Sequence, residues 1–163
     1  MQGRALSELT DTDQPAWPVI TELIAAAAVD VQILDLSAPQ AGEDTLVNLQ
    51  VTARSFLGLS YLWGGLSGFG LDCSGLTWLD HRVHGILIPR DALPQSQHGT
   101  RVSTLAPGDL LFYAHRGLVH HVSMYIGDGQ MIHAPRTGQP VQVVAFSAPP
   151  LRAEYAGARR YLP

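Results

Sequence analysis

Cysteine is almost missing from this chain: Cys73 is the only one in 163 residues. A lone thiol closes no internal disulfide, and without a CxxC pair there is no thiolate framework for a structural zinc site. Low cysteine use suits a reducing compartment and equally suits a disulfide-free exported protein. Long apolar runs are missing too. The richest, Leu23–Val29, falls far short of the roughly 18 residues that span a bilayer and is flanked by Glu22 and Asp30, so no membrane partner is expected. The N-terminus lacks a basic segment feeding an apolar one, so no signal peptide is visible and the cytoplasm is expected rather than secretion. Positive charge is scarce: 10 Lys and Arg against 14 Asp and Glu give a formal net charge of −4. No basic stripe exists beyond Arg159-Arg160, which argues against nucleic acid as a partner. Gly64–Gly70 is rich in glycine but lacks the Lys-Ser/Thr ending of a phosphate loop, and no cofactor is expected. Nothing in the sequence sets the oligomeric state.

What is present fits one catalytic domain with a small appendage. A hydrophobic content of 46% is ample for a core. The run from Ser37 to Thr45 reads as a linker, which divides the chain into an N-terminal extension over 1–45 and a main domain over 46–163. The extension has a Trp17-Pro18 break and an alternating Val29, Val31, Ile33 stretch. Ala25–Ala28 can instead prolong a helix from Thr21. In the main domain Asp44 or Thr45 can cap a helix to about Leu57, with Leu46, Leu49, Ala53, Phe56 and Leu57 as its apolar stripe. Strands are expected near 110–114, 120–126, 130–134, 140–146 and 158–162. Helices followed by a run of antiparallel strands predict an α+β fold.

Cys73 is bracketed by Asp72 and Ser74, an unusual setting for a thiol serving only as a small hydrophobe. Leu76, Trp78, Leu79, Arg82 and Val83 can share one side of a helix that Gly85 stops. Asp72 is then its N-cap and Cys73 lies in the first turn, where unpaired N–H groups and the helix dipole favour a thiolate. The base should arrive from another element. Leu118–Gly127 reads as a strand whose alternation separates His121, Ser123 and Tyr125 from His120, Val122, Met124 and Ile126. The second set looks like core, which makes His121 the better base and His120 a strand-end residue. Gly127-Asp128-Gly129 turns the chain back, so His133 can lie beside His121 and orient its imidazole.

Six motifs in order then resemble the NlpC family of papain-like cysteine peptidases, which cut bacterial cell-wall peptides. They are Tyr61-Leu62-Trp63-Gly64-Gly65, Asp72-Cys73-Ser74-Gly75-Leu76, Pro89-Arg90-Asp91, Pro107-Gly108-Asp109-Leu110, His121 to Gly127 and Ile132-His133-Ala134. The resemblance implies a papain-like NlpC fold, with the nucleophile at a helix N-terminus packed on an antiparallel sheet. It implies Cys73 as nucleophile, His121 as base, His133 as third polar residue and Tyr61 near the oxyanion. It places Asp72 and Ser74 where recycling-type members hold the free amino group of L-Ala-γ-D-Glu, and Arg90 and Asp91 on the cleft wall. The implied cut falls between γ-D-Glu and the diamino acid of a murein stem peptide, with no metal. The extension is similar in position to the shortened SH3-like module that often precedes NlpC domains.

Three other readings stand beside this one. An amidase or acyltransferase can use the same Cys–His pair on another carbonyl compound. A non-catalytic wall-binding module needs no reactive thiol. Cys73, His121 and His133 also have the ligand types of a zinc site.

Overall fold

The computed structural model describes residues 43–161. The expectations for the extension, including its SH3-like reading, lie outside the described residues. The element order is α1 (Glu43–Ser55), β1 (Leu66–Ser67), β2 (Gly70–Leu71), α2 (Cys73–Val83), α3 (Ala92–Gln97), β3 (Thr100–Val102), β4 (Leu110–His115), β5 (Leu118–Gly127), β6 (Gln130–His133), β7 (Gln142–Ala145), α4 (Leu151–Glu154) and β8 (Tyr155–Arg160). The named strands of the described residues all pair antiparallel, and six of them form one sheet in the order β3-β8-β4-β5-β6-β7. Helices first and an antiparallel sheet after them make the fold α+β, as its sequence pattern predicts.

The first helix starts at Glu43, so Asp44 and Thr45 fall inside it rather than at its cap. Its inward stripe is Leu49 and Ala53, with Phe56 packed alongside; Leu57 lies past the helix end and is exposed. The helix that starts at Cys73 forms as expected, with Asp72 in an extended backbone conformation accepting from the Gly75 N–H. Its buried face differs from the expectation. Thr77, Asp80 and His81 lie deeper than Trp78 and Leu79, which are only partly covered. His81 is accommodated by a 2.8 Å contact from Nδ1 to the Thr77 carbonyl and an edge-on Tyr161 ring. Among the described residues neither buried carboxyl oxygen of Asp80 has a hydrogen-bond partner, and burial pushes its pKa well above its ordinary value. A neutral acid is the form such a site tolerates.

The sheet is covered on both faces, which alternation alone did not reveal. Val122, Met124 and Ile126 join Cys73, Leu76, Leu110, Phe112 and Ile132 in the larger cluster beneath α2. The opposite register, expected to be polar, meets a second cluster of Leu111, Tyr113, Met131 and Ala158. Polar groups enter that cluster only with partners. The Ser123 hydroxyl lies 2.9 Å from the Tyr113 hydroxyl and 3.2 Å from the Met131 sulfur. Arg160 closes the far edge by donating to buried Asp109 at 2.7 and 2.9 Å.

Asp80→Leu should raise the unfolding temperature, because the larger apolar side chain removes an unpaired buried carboxyl. The folded-state pKa of Asp80 lies above its unfolded value, so the wild type loses stability as pH rises from about 4. The advantage of Asp80→Leu should therefore grow with pH. Urea titrations at pH 5 and pH 8 check this; an advantage that shrinks at the higher pH contradicts it.

Candidate active site

Three segments meet at the start of α2, and the Asp72 carboxylate is where they are tied. As N-cap it accepts from the Gly75 N–H at 2.6 Å. The Gly64 N–H donates to its other oxygen at 2.8 Å, which fixes the glycine loop ahead of β1. Arg90, from the segment between α2 and α3, forks onto both oxygens at 3.0 Å each. Its guanidinium also donates to the Ser74 hydroxyl at 2.9 Å and to the Gly65 carbonyl at 3.3 Å. Burial alone raises the carboxyl's pKa, but the Arg90 and Gly75 hydrogen bonds, the Arg90 charge and the Gly64 N–H outweigh it, leaving the pKa below its ordinary value. Gly75 is required here for space: a Cβ would collide with the Gly65 carbonyl and stand 2.9 Å from Asp72 Oδ1 and 3.2 Å from Arg90 Nη2.

Cys73 follows that cap, buried, with backbone hydrogen bonds at Cys73, Ser74 and Val122. The Val122 contact brings the thiol against β5 one residue after His121. The helix start holds the sulfur as the sequence predicts, but it does not yield a resting thiolate. Burial pushes the thiol's pKa up, the Asp72 charge adds to that, and the backbone hydrogen bonds compensate only in part. Tyr61 stands within electrostatic reach of both Cys73 and Asp72. Its pKa is pushed up to about 12, by burial first and then by those two groups, with Arg90 opposing.

The two histidines meet across the β5–β6 hairpin. Met124 pairs with Ile132, which sets His133 level with Ser123. From there its Nδ1 reaches His121 Nε2 at 3.0 Å, with the rings edge to face. This leaves Nδ1 as the His121 nitrogen available to the thiol. The two are not hydrogen-bonded among the contacts of the described residues, and such bonds are commonly long before substrate binds. Burial, then the nearby His133 and His120, depress the His121 pKa to about 3; burial alone takes His133 to about 4. Burial therefore favours the neutral thiol and the neutral imidazoles over an ion pair. For His121 Nδ1 to be a base, Nε2–H must donate to His133, whose own proton then lies on Nε2, a buried atom without a partner among the described residues. His120 points away, with Nε2 3.1 Å from Glu154 at the exposed strand end.

Two expectations change with this geometry. Asp72, read as a receiver for a substrate ammonium, already holds a guanidinium and two backbone donors. Arg90, read as cleft wall, faces inward onto Asp72, while Asp91 beside it is exposed over 77% of its side chain. Sequence reasoning missed Gln95. Fully buried, it donates to the Pro89 carbonyl at 2.8 Å and accepts from the Thr77 hydroxyl at 3.0 Å, locking the Arg90 segment to α2. Nothing in its polar local sequence marked it. Among the described residues no group of three His, Cys, Asp or Glu side chains could hold a metal ion. No described helix is long and apolar enough to cross a membrane.

The family model described as NlpC/P60 matches residues 58–160. The chain belongs to the NlpC/P60 family. A second model, of a protein of unknown function called DUF2625, matches residues 6–69. A γ-D-glutamyl-L-lysine dipeptidyl-peptidase of Bacillus cereus is 52% identical over 134 residues, 79% of this chain and 39% of that protein. A protein of the same name from Bacillus subtilis is 42% identical over 67% of this chain and 38% of its own length. The chain thus spans under half the length of these relatives. A crystal structure of an NlpC/P60 family protein from Bacillus cereus superposes with a TM-score of 0.71 at 53% identity, covering 72% of this chain and 40% of that one. The NlpC/p60 domain of the peptidoglycan hydrolase SagA does so with a TM-score of 0.63 at 33% identity, covering 71% and 97%.

The depressed pKa of His133 makes a stability prediction. Its folded value of about 4 lies below the ordinary 6.5, so its contribution is fully present above pH 6.5 and is lost as pH falls toward 4. The stability advantage of the wild type over His133→Gln should fall by on the order of a few kcal/mol between pH 7 and pH 4.5. Urea titrations of both proteins check this; a difference independent of pH contradicts it.

Proposed function

We propose that this domain is a cysteine endopeptidase acting on murein stem peptides, cutting between γ-D-Glu and the diamino acid. The reading is carried by the imidazole pair: His121, tied to His133 at 3.0 Å, sits on the strand against which the Cys73 thiol packs. His121 Nδ1 takes the thiol proton as sulfur attacks the peptide carbonyl. Because the resting site is neutral, attack and proton transfer go together, and charge appears only when substrate is present. The Cys73 backbone N–H receives the oxyanion with help from the Tyr61 hydroxyl. Collapse of the tetrahedral adduct breaks the C–N bond, and the imidazolium proton goes to the leaving amine. His121 then takes a proton from water, whose oxygen attacks the thioester; sulfur leaves and recovers its proton. His133 keeps the base in the working tautomer throughout.

The same chemistry sets substrate choice at the amino end. The names of the Bacillus relatives describe removal of a dipeptide ending in γ-D-Glu, which favours peptides beginning with a free L-Ala. The carboxylate with room for that ammonium is Asp91, whose nearest cation is Arg90 at 3.8 Å; Asp72 is occupied.

Cys73→Ala should abolish turnover with the fold intact, and His121→Ala should be nearly as damaging while His120→Ala is mild. His133→Asn should keep substantial activity, since an amide oxygen accepts from His121 Nε2–H and so holds the same tautomer. Mass spectrometry of products from defined muropeptides checks all four. Products from a different bond would favour the amidase or acyltransferase reading. Losing one charge-assisted hydrogen bond costs about 1.5–3 kcal/mol, so N-acetylating the alanine should lower kcat/KM roughly ten- to a hundredfold. Equal rates for both peptides would contradict the ammonium site.

A further inference from the structure

We propose that Arg90 is a positioning residue for the nucleophile: its fork onto Asp72 neutralises the carboxylate beside Cys73 and clamps the helix start on which the thiol and the oxyanion donor depend. The proposal rests on the reading of Cys73 as nucleophile. Three observations carry it. The guanidinium reaches Asp72, Ser74 and the Gly65 carbonyl at once, so it joins the residues on both sides of Cys73 to the loop behind them. Its space is reserved, because a Cβ on Gly75 would collide with the Gly65 carbonyl and crowd Nη2 at 3.2 Å. Its own segment is held to α2 by buried Gln95, which bridges the Pro89 carbonyl and the Thr77 hydroxyl. A residue meant to greet substrate would not be anchored from the inner side in this way.

An N-cap carboxylate next to a nucleophilic cysteine is electrostatically awkward. It satisfies the helix's orphan donors, but its negative charge opposes formation of a thiolate on the next residue. Asp72 raises the Cys73 pKa in this sense, and Arg90 opposes Asp72 at Tyr61. The other titratable groups around the thiol are Tyr61 from the loop before β1, His121 with its neighbour His120 on β5, and His133 on β6. Both histidines of the pair are neutral through burial, so Arg90 is the fixed cation of the site. Lysine is no substitute: a single ammonium cannot bridge both carboxylate oxygens and the Ser74 hydroxyl in one plane.

The test needs no peptide, because Cys73 is the only thiol in the chain and its alkylation by iodoacetamide reports thiolate directly. Arg90→Gln should move the midpoint of the alkylation-against-pH curve up by about one unit or more. Adding Asp72→Asn, which keeps a capping oxygen, should return the midpoint to within about 0.3 unit of wild type. With an L-Ala-γ-D-Glu-L-Lys peptide, Arg90→Lys should keep the wild-type midpoint yet lose roughly tenfold in kcat at little change in KM. An unshifted midpoint in Arg90→Gln, or a rise in KM alone in either variant, overturns the proposal and makes Arg90 a substrate contact. Should Arg90→Gln fail to fold, the kcat-against-KM split in Arg90→Lys decides the matter by the same criterion. If the wild type turns over no murein peptide at all, the proposed function fails, while the alkylation curves still judge Arg90.

Discussion

The site depends on the Asp72 carboxylate more than on any other single group. One side chain caps the Cys73 helix through Gly75, holds the glycine loop through Gly64 and receives the Arg90 fork. Each contact is of the charge-assisted kind that outweighs an ordinary hydrogen bond, and together they hold Cys73 between three converging backbones. The two glycines packed here, Gly65 and Gly75, leave the space that lets those backbones close; a Cβ on either would strike backbone. The motif around Cys73 is thus a packing solution as much as a chemical one.

Burial sets the electrostatics of the rest. The thiol pKa is raised while those of His121 and His133 are lowered, and in each case loss of water is the largest cause. Burial of this kind favours the neutral thiol and the neutral imidazoles over an ion pair. In the proposed mechanism the cost is that the thiolate must be made during attack, with the base at hand. That requirement explains why His121 is held on a strand interior, why its far nitrogen is fixed by another buried side chain, and why a neutralised Asp72 matters. Neutral partners also cost less to bury than charged ones.

Much of this was legible in the chain. A lone cysteine between two polar residues, followed by a helical stripe, located the helix start and its cap. Alternation along Leu118–Gly127 separated His121 from His120, and the Gly-Asp-Gly turn returned His133 alongside that strand, level with Ser123. What stayed hidden has a common cause: contacts between residues far apart in sequence. Both faces of β5 are buried because Tyr113 and Met131 cover the side that carries His121 and Ser123, and period-two alternation does not tell a polar face from a satisfied one. Thr77, Asp80 and His81 lie on the inner face of α2 against expectation, since a helical pattern ranks residues by polarity and not by what faces them. Arg90 and Gln95 belong to a segment without strong periodicity, and only the folded chain turns them onto Asp72 and Thr77. The balance between helix dipole and burial at Cys73 likewise needs the tertiary structure.

The central claim is that Cys73 carries the acyl group during turnover. Rapid acid quench of the enzyme mixed with an L-Ala-γ-D-Glu-L-Lys peptide, followed by intact-protein and peptide-level mass spectrometry, tests it directly. The account predicts a transient mass increment equal to the L-Ala-γ-D-Glu acyl group, located on the peptide that contains Cys73 and removed by hydroxylamine. Hydrolysis that proceeds with no adduct, or with an adduct on any other residue, would contradict it.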